Sequence, residues 1–279
     1  MAEGPVWSKS GGYLLFSDLA ANAVYKWTPY TGVEVFLQPS GYSGTEPFRG
    51  PYPGSNGLAF DSAGRLVLCE HGDRRITRIE PDGSKTILAD RFRGKRLNSP
   101  NDLTFDSKGN LYFTDPPFGL PHTFDDPGQE LGFSGVYRLS PTGQLTLLTD
   151  KLRGPNGIAF APSERTLYVS DTLAAEPGWM AYDVNEDAIL SEPAAFLTTP
   201  AWAQTQRGAR DGLKTDQFGN IFAAGAGGIH VFAPDGSHLG SIKIQAASNV
   251  AWGDDGSVLY VTSSKTIYRI QTLTAGHGF

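Results

Sequence analysis

The chain has little of what several large classes of protein require. One cysteine among 279 residues excludes an internal disulfide framework. No apolar run approaches the roughly 18 residues that a membrane-spanning helix needs. Charged residues make up 19 %, the formal net charge is −6 and no basic run is present, which argues against nucleic-acid binding.

Glycine and proline are abundant instead. The chain holds 34 glycines and 19 prolines, and aromatic residues make up a further 11 %. The apolar residues suffice for a large core, so the composition is not that of a disordered chain. It predicts many short strands that are joined by tight turns.

A short pattern recurs six times along the chain. Each copy opens with a polar residue and an apolar run, followed by a Gly, Asp or Ser turn and a second run. Third and fourth runs follow in most copies, so each unit of roughly 45 residues predicts four antiparallel strands. We call the six opening residues the anchors: Glu3, Asn56, Asn101, Asn156, Asp211 and Asn249.

Six repeats of four strands predict an all-β fold, a six-bladed β-propeller that forms a single domain over residues 1–279. The sixth repeat lacks a fourth run, because only TLTAGHGF follows its third. We expect either that this tail closes the ring or that the natural protein begins upstream, and we favour the second. The compartment, periplasmic or cytoplasmic, therefore stays open. We expect a soluble protein that is a monomer or a weak dimer, without nucleic-acid or membrane partners.

The topology of a four-stranded antiparallel blade predicts where the chemistry lies. All six anchors start innermost strands, so we expect them to ring the central channel on one face. The residues that end the second strands should stand beside them: Asp18, His71, Asp115, Asp171 and Ser263.

Three long insertions start from the same face and should roof a pocket, since functional residues concentrate on such loops. They span residues 39–55, 116–134 and 200–210. Their candidate roof residues are aromatic or basic: Tyr42, Phe48, Arg49, Tyr52, Phe118, Phe133, Trp202 and Arg207.

The anchors comprise one Glu, one Asp and four Asn, all of which offer hard oxygen ligands. Such sets suit Ca²⁺, Mg²⁺ or Mn²⁺. Two carboxylates nearly balance a divalent charge and leave positions for water. Turn formation is the alternative for each Asn-Gly pair. The sixfold recurrence, with Glu3 and Asp211 in two of the copies, favours a metal site at the central channel.

Several motifs carry a resemblance to a known family. They are EGPVW at Glu3, SPNDL around Asn101, GPNGIAF around Asn156, YVSDT around Asp171 and RDGLKTDQFGNIF around Asp211. In order and spacing they resemble the regucalcin/gluconolactonase family over essentially the whole chain. CEHGDRRITRIEPDG, which contains His71, looks most like its bacterial gluconolactonase branch.

The resemblance implies a metal-dependent lactonase that converts a sugar lactone, such as gluconolactone, into its aldonic acid. It assigns Glu3, Asn156 and Asp211 to one divalent metal. Ca²⁺ is the first choice, with Mg²⁺, Mn²⁺, Fe²⁺ or Zn²⁺ as alternatives. Asn101 would contact the metal or the substrate. One departure is that almost nothing precedes Glu3, where a chain end frays most readily.

Asp211 is the candidate general base, with metal ligation alone as the alternative. We expect Asn56, Asn101, Asn249 and His71 to bind substrate hydroxyls. For His71, a hydrogen bond to backbone at a strand end is an equal alternative.

Asp115 and Asp171 are candidates for orienting the metal ligands or for holding a second metal, with turn capping as the alternative. Asp18 is expected to be structural, and Cys69 to be a small buried hydrophobe. Two other functions stay open. One is a phosphotriesterase of the diisopropylfluorophosphatase type, and the other is a non-enzymatic propeller that binds protein or sugar.

Overall fold

Almost all regular structure in this computed structural model is β-strand. It describes residues 1–175, 178–185 and 190–279. The chain divides into unit 1, residues 3–151 with Met1, and unit 2, residues 152–279 with Ala2. Single 3₁₀ turns occur at Pro117–Gly119 and Thr123–Asp125. Within the described residues, no helix is long and apolar enough to cross a membrane.

Apart from Ala2, the first residue of the first strand, unit 1 contains three four-stranded antiparallel sheets, in each of which the strands follow chain order. Sheet 1 consists of β1 (Ala2–Ser8), β2 (Tyr13–Asp18), β3 (Ala23–Thr28) and β4 (Gly32–Leu37). Sheet 2 consists of β5 (Ser55–Phe60), β6 (Leu66–Glu70), β7 (Arg75–Ile79) and β8 (Lys85–Ala89). A two-stranded ribbon that the sequence pattern did not predict follows, with β9 (Arg91–Phe92) and β10 (Lys95–Arg96). Sheet 3 consists of β11 (Leu103–Phe105), β12 (Leu111–Asp115), β13 (Gly135–Leu139) and β14 (Leu145–Thr149).

Unit 2 repeats this arrangement. Sheet 4 consists of β15 (Pro155–Phe160), β16 (Thr166–Asp171), β17 (Trp179–Asp183) and β18 (Ala194–Leu197). Sheet 5 consists of β19 (Leu213–Thr215), β20 (Ile221–Gly225), β21 (Gly228–Phe232) and β22 (His238–Ile242). Sheet 6 has three strands in the described part of the chain: β23 (Ala247–Gly253), β24 (Val258–Ser263) and β25 (Thr266–Gln271).

The C-terminal tail runs beside sheet 5. Gly276 forms a β-bridge with Asp216, and the Gln217 N–H donates to Ala275 O at 2.9 Å. In the residues that the structure describes, the tail therefore does not add a fourth strand to sheet 6. That was the first of the two ways of completing the sixth repeat that we expected from the sequence.

The first hairpin of several sheets closes with the same turn chemistry. The Oδ1 atom of Asp61 accepts the N–H groups two and four residues further along the chain. Asp106 and Asp216 do the same in sheets 3 and 5. Gly64 adopts a φ of +75° at the end of the Asp61 turn, a conformation that glycine reaches without steric cost. The local sequence therefore specifies these hairpins.

The core lies between the faces of neighbouring sheets. Between sheets 2 and 3, Val67 and Ile76 pack with Phe113 and Tyr137 in one buried cluster. Cys69 belongs to this cluster and is fully buried, which confirms the sequence prediction for it. Apolar burial of this kind supplies most of the stabilisation of such sheets.

The innermost strands of neighbouring sheets approach each other closely at glycines that follow the anchors. In unit 1, the Gly57 N–H donates to Asn101 O at 2.7 Å. In unit 2, a Cβ atom on Gly157 would lie 2.6 Å from Gly212 Cα, a distance that real side chains do not tolerate. The absence of side chains at these positions thus lets the anchors come together.

We predict that Gly157→Ala lowers the free energy of unfolding by about 2 kcal/mol, because the new methyl group meets backbone that cannot move aside. Gly240→Ala is the matched control. No atom lies within 4 Å of a Cβ placed on Gly240, so its change should stay within about 0.5 kcal/mol. Urea unfolding of both variants measures the difference, and equal effects would contradict the close approach.

Candidate active site

The six anchors occupy equivalent places in the six sheets. Glu3, Asn56, Asn156 and Asn249 lie within β1, β5, β15 and β23. Asn101 and Asp211 precede β11 and β19 by two residues. The five other than Asp211 are buried, and Asp211 is half-buried.

In unit 1, Glu3, Asn56 and Asn101 lie one after another at the ends of sheets 1, 2 and 3. Gly4 has a φ of +49°, and a Cβ atom there would lie 3.0 Å from Gly57 Cα, so β1 runs directly against the start of β5. The Gly57 N–H donates to Asn101 O, which continues the series to sheet 3. The buried Ser17 hydroxyl donates to Asn56 O at 2.8 Å.

Unit 2 arranges Asn156, Asp211 and Asn249 in the same manner. The Gly157 N–H donates to the Ser170 hydroxyl at 2.8 Å, and that hydroxyl donates to Asp211 O at 2.8 Å. The Asn249 carboxamide occupies the space that a side chain on Gly212 would need. Each unit thus holds three anchors as consecutive neighbours.

His71 lies directly beside an anchor, one residue after the end of β6. Its Nε2 atom is 3.3 Å from Asn56 Nδ2, and its side chain is 1 % exposed. Burial lowers the pKa of His71 to about 4, so the imidazole is neutral near pH 7. Its contact is with an anchor side chain, whereas the alternative expectation was a bond to backbone.

The first two insertions meet over this histidine. A Cβ atom on Gly119 would lie 2.9 Å from His71 Cβ, so the backbone at Gly119, within residues 116–134, packs against the His71 side chain. A Cβ atom on Gly50 would lie 2.6 Å from Gly119 O, so the insertion of residues 39–55 contacts the insertion of residues 116–134 beside His71. The 1 % exposure of His71 agrees with this packing.

Part of the predicted roof forms aromatic pairs. The rings of Tyr42 and Phe48 are 5.0 Å apart, and Phe118 packs edge-on against Phe124 at 5.9 Å. In unit 2, the Trp202 ring lies 5.9 Å from that of His230. The basic candidates Arg49 and Arg207 are exposed.

The carboxylates that end the second strands bind backbone. Asp115 Oδ2 accepts the Asn98 N–H at 2.8 Å. Asp171 accepts three backbone N–H groups, from Arg153, Gly154 and Leu173. Most of these contacts join the end of a second strand to the backbone that precedes an anchor, and only the contact from Leu173 to Asp171 is the local turn capping that was the alternative expectation.

Asp18, which was expected to be structural, accepts the N–H groups of Ala20 and Ala21 and the Met1 amine.

Asp115 lies in a strongly desolvating environment. Burial raises its pKa to about 7, although backbone N–H groups and Arg74 oppose the shift. Its Oδ1 atom is buried and has no hydrogen-bond partner in the described part of the chain. The carboxyl group is therefore partly protonated near neutral pH.

Several polar residues beside the anchors were not identified from the sequence. Thr172 Oγ1 accepts a hydrogen bond from Asn156 Nδ2 at 3.1 Å and donates to Arg210 O at 2.8 Å. The Ser99 hydroxyl donates to Pro116 O at 2.6 Å. The only sequence signal for them is their place within SPNDL and YVSDT, close to the candidate residues Asn101 and Asp171.

The residue types assigned to the metal suit a hard divalent ion. Glu3 and Asp211 offer carboxylates and Asn156 an amide oxygen. No group of three or more His, Cys, Asp and Glu that could hold a metal occurs among the described residues. The assigned set contains only two such residues, so that finding does not bear on it.

Antiparallel sheets that repeat in chain order, each with a polar anchor at the start of its innermost strand, define a six-bladed β-propeller, which confirms the predicted fold class. The chain belongs to the family described as "SMP-30/Gluconolactonase/LRE-like region", whose profile matches residues 1–265.

Individual relatives agree with this membership. A gluconolactonase of Zymomonas mobilis is 40 % identical and covers 99 % of this chain and 79 % of its own length. The solved structure of a gluconolactonase from Xanthomonas campestris has a TM-score of 0.82 and 35 % identity, over 99 % of this chain and 86 % of that one.

A regucalcin from Agrobacterium tumefaciens, described as a calcium-binding protein, has a TM-score of 0.77 and 18 % identity over 100 % of this chain and 92 % of that one. At this identity the likeness shows the fold alone.

We predict that Asp115→Asn changes the pH dependence of stability. In the unfolded chain the pKa of this carboxyl is near its ordinary value of 3.8, and in the folded chain it is about 7. The stability that this group contributes is therefore present below about pH 4 and is lost as the pH rises to 7. The variant cannot ionise, so its stability relative to wild type should increase by about 4 kcal/mol between pH 4 and pH 8.

Urea unfolding at several pH values measures this difference. Asp106→Asn, in a half-buried turn of the same sheet, is the control. A difference between Asp115→Asn and wild type that does not vary with pH would contradict the assignment.

Proposed function

We propose that this chain is a metal-dependent lactonase, a single domain over residues 1–279, that hydrolyses an aldono-1,4- or 1,5-lactone such as gluconolactone to the aldonic acid. The observation that carries the proposal is the 40 % identity to a gluconolactonase over 99 % of this chain. The arrangement of the anchors in both units supports it. These oxygen-rich side chains could bind a divalent metal, and such a metal promotes the hydrolysis of a cyclic ester.

Glu3, Asn156 and Asp211 would hold one divalent ion, with Ca²⁺ as the first choice and Mg²⁺, Mn²⁺, Fe²⁺ or Zn²⁺ as alternatives. When bound, such an ion polarises an ester carbonyl and stabilises the developing negative charge. Glu3 and Asn156 are 2 % and 6 % exposed. The cost of burying a carboxylate is reduced when it coordinates a cation.

Asp211 would remove a proton from the water that attacks the lactone carbonyl carbon. As the acyl C–O bond breaks, the same proton passes to the ring oxygen, so the product is a hydroxy acid. The residue is half-buried, which leaves its carboxylate accessible to water. Its backbone is fixed by the N–H donated to Ala224 O at 3.1 Å and by the Ser170 hydroxyl.

Asn56, Asn101, Asn249 and His71 would bind the substrate hydroxyls. An amide both donates and accepts hydrogen bonds, and a neutral imidazole does so through its two nitrogens. A polyhydroxylated lactone presents the matching donors and acceptors. The two insertions that meet over His71 would limit access of water to the bound sugar.

We predict that Glu3→Ala and Asp211→Ala each lower kcat/KM for gluconolactone by at least about 100-fold and leave a folded β-protein. The physical reason is the loss of a metal ligand, and for Asp211 also of the proton acceptor. Asp235→Ala is the control, since this carboxylate caps an exposed turn of sheet 5 at Ser237. Turnover corrected for spontaneous hydrolysis and the far-ultraviolet circular dichroism spectrum measure the two effects.

The substrate and the metal are tested together. Activity on a panel of aldonolactones should disappear after chelation and return on addition of a divalent ion. Near-normal turnover in both variants would show that the site assignment is wrong. Hydrolysis of diisopropyl fluorophosphate but not of lactones would replace the lactonase by a phosphotriesterase, and an absence of any turnover would favour a binding propeller.

A further inference from the structure

In sheets 3 and 4, a carboxylate at the end of the second strand holds the backbone that leads into an anchor. Asp115 Oδ2 accepts the N–H of Asn98, three residues before Asn101, at 2.8 Å. Asp171 is the corresponding residue of sheet 4. Its Oδ2 atom accepts the Arg153 N–H at 3.0 Å and its Oδ1 atom the Gly154 N–H at 2.9 Å, directly ahead of Pro155 and Asn156.

The segment before Asn101 is bound to the end of β12 by further contacts. Asn98 Nδ2 donates to Asp115 O at 2.9 Å and to Phe133 O at 2.8 Å. The Asn101 N–H itself donates to Thr114 O at 2.8 Å. Asp115, Asn98 and Asn101 are all buried, so water cannot readily replace these hydrogen bonds.

The segment before Asn156 is bound in a comparable way. The third hydrogen bond that Asp171 accepts, from the Leu173 N–H at 3.0 Å, ties the turn after β16 to the same carboxylate. Thr172, within that turn, accepts from Asn156 Nδ2. One carboxylate therefore orders both the backbone before Asn156 and the residue that contacts its side chain.

We propose that Asp115 and Asp171 are positioning residues, which orient Asn101 toward the substrate and Asn156 toward the metal through the backbone N–H groups that they accept. The proposal rests on the function proposed above. Neither carboxylate needs to touch the substrate or the metal. A displacement of a ligand by about 1 Å is enough to cost binding or rate by one to two orders of magnitude.

The chain supplies matched controls for a purely structural effect. Asp106 lies at the opposite end of the β11–β12 hairpin and accepts the N–H groups of Lys108 and Asn110 at 3.0 and 2.8 Å. Asp216 has the same role in sheet 5, with Phe218 and Asn220 as donors. Removal of these carboxylates breaks similar hydrogen bonds far from the sheet ends that carry the anchors.

For Asp115, the readout is the Michaelis constant for gluconolactone. We expect Asp115→Ala to raise KM about tenfold with a much smaller change in kcat, whereas Asp106→Ala lowers thermal stability and leaves KM unchanged. Asp115→Asn keeps an oxygen that can accept the Asn98 N–H and should recover most of the affinity. The same KM for the Ala variants of Asp115 and Asp106, or no recovery by Asn, would overturn the role of Asp115.

Asn98→Ala keeps the proposal falsifiable if Asp115→Ala does not fold. This variant retains Asp115 and removes the two side-chain hydrogen bonds of Asn98 to Asp115 O and Phe133 O. It should raise KM for gluconolactone, as Asp115→Ala does. An unchanged KM would contradict the positioning of Asn101 through this segment.

For Asp171, the readout is binding of Ca²⁺ alone, measured by isothermal titration calorimetry of the metal-free protein. We expect Asp171→Ala to weaken Kd about tenfold, Asp171→Asn to have an intermediate effect, and Asp216→Ala to have none. An unchanged Kd in Asp171→Ala would overturn its role.

Asn101→Ala and Asn156→Ala separate this proposal from the proposed function. If these two variants leave KM and Kd unchanged, the assigned site is wrong. If they change KM and Kd but the Asp115 and Asp171 variants do not, only the positioning role fails.

Discussion

Hydrogen bonds to the backbone carbonyls of the anchors are the interaction on which each unit depends. Asn101 O accepts from the Gly57 N–H, while Asn56 O and Asp211 O accept from serine hydroxyls of the preceding sheets. These groups are removed from water, and a buried polar backbone group without a partner is costly. The innermost strands must therefore approach within hydrogen-bond distance, which only glycine next to the anchors allows.

The parts of the fold that could be predicted are those whose sequence signals lie close together in the chain. The β5–β6 hairpin could be predicted because alternation and the Asp61 turn lie within a dozen residues of one another. The ribbon of β9 and β10 could not, since strands of two residues contain no alternation. The pairing of the C-terminal tail with Asp216 depends on contacts between distant segments, which no local pattern encodes.

The same reasoning applies to the candidate site. The anchors were identified because they recur, and recurrence is visible in a single sequence. Asp115 and Asp171 were identified, but the sequence could not distinguish metal support from backbone capping, because that depends on which atoms they face. Ser99 and Thr172 do not recur at the equivalent positions of the other repeats, so no periodicity identified them. The neutral state of His71 results from burial, a property of the folded chain.

The anchors are tied into each unit through main-chain atoms, and this has a consequence for their side chains. One chain already carries glutamate, asparagine and aspartate at equivalent places, so the scaffold accepts several side chains there. A substitution at an anchor changes the ligand chemistry while the hydrogen bonds that order the strands persist. The chemistry of the anchor side chains therefore varies from sheet to sheet while the same backbone pattern is repeated.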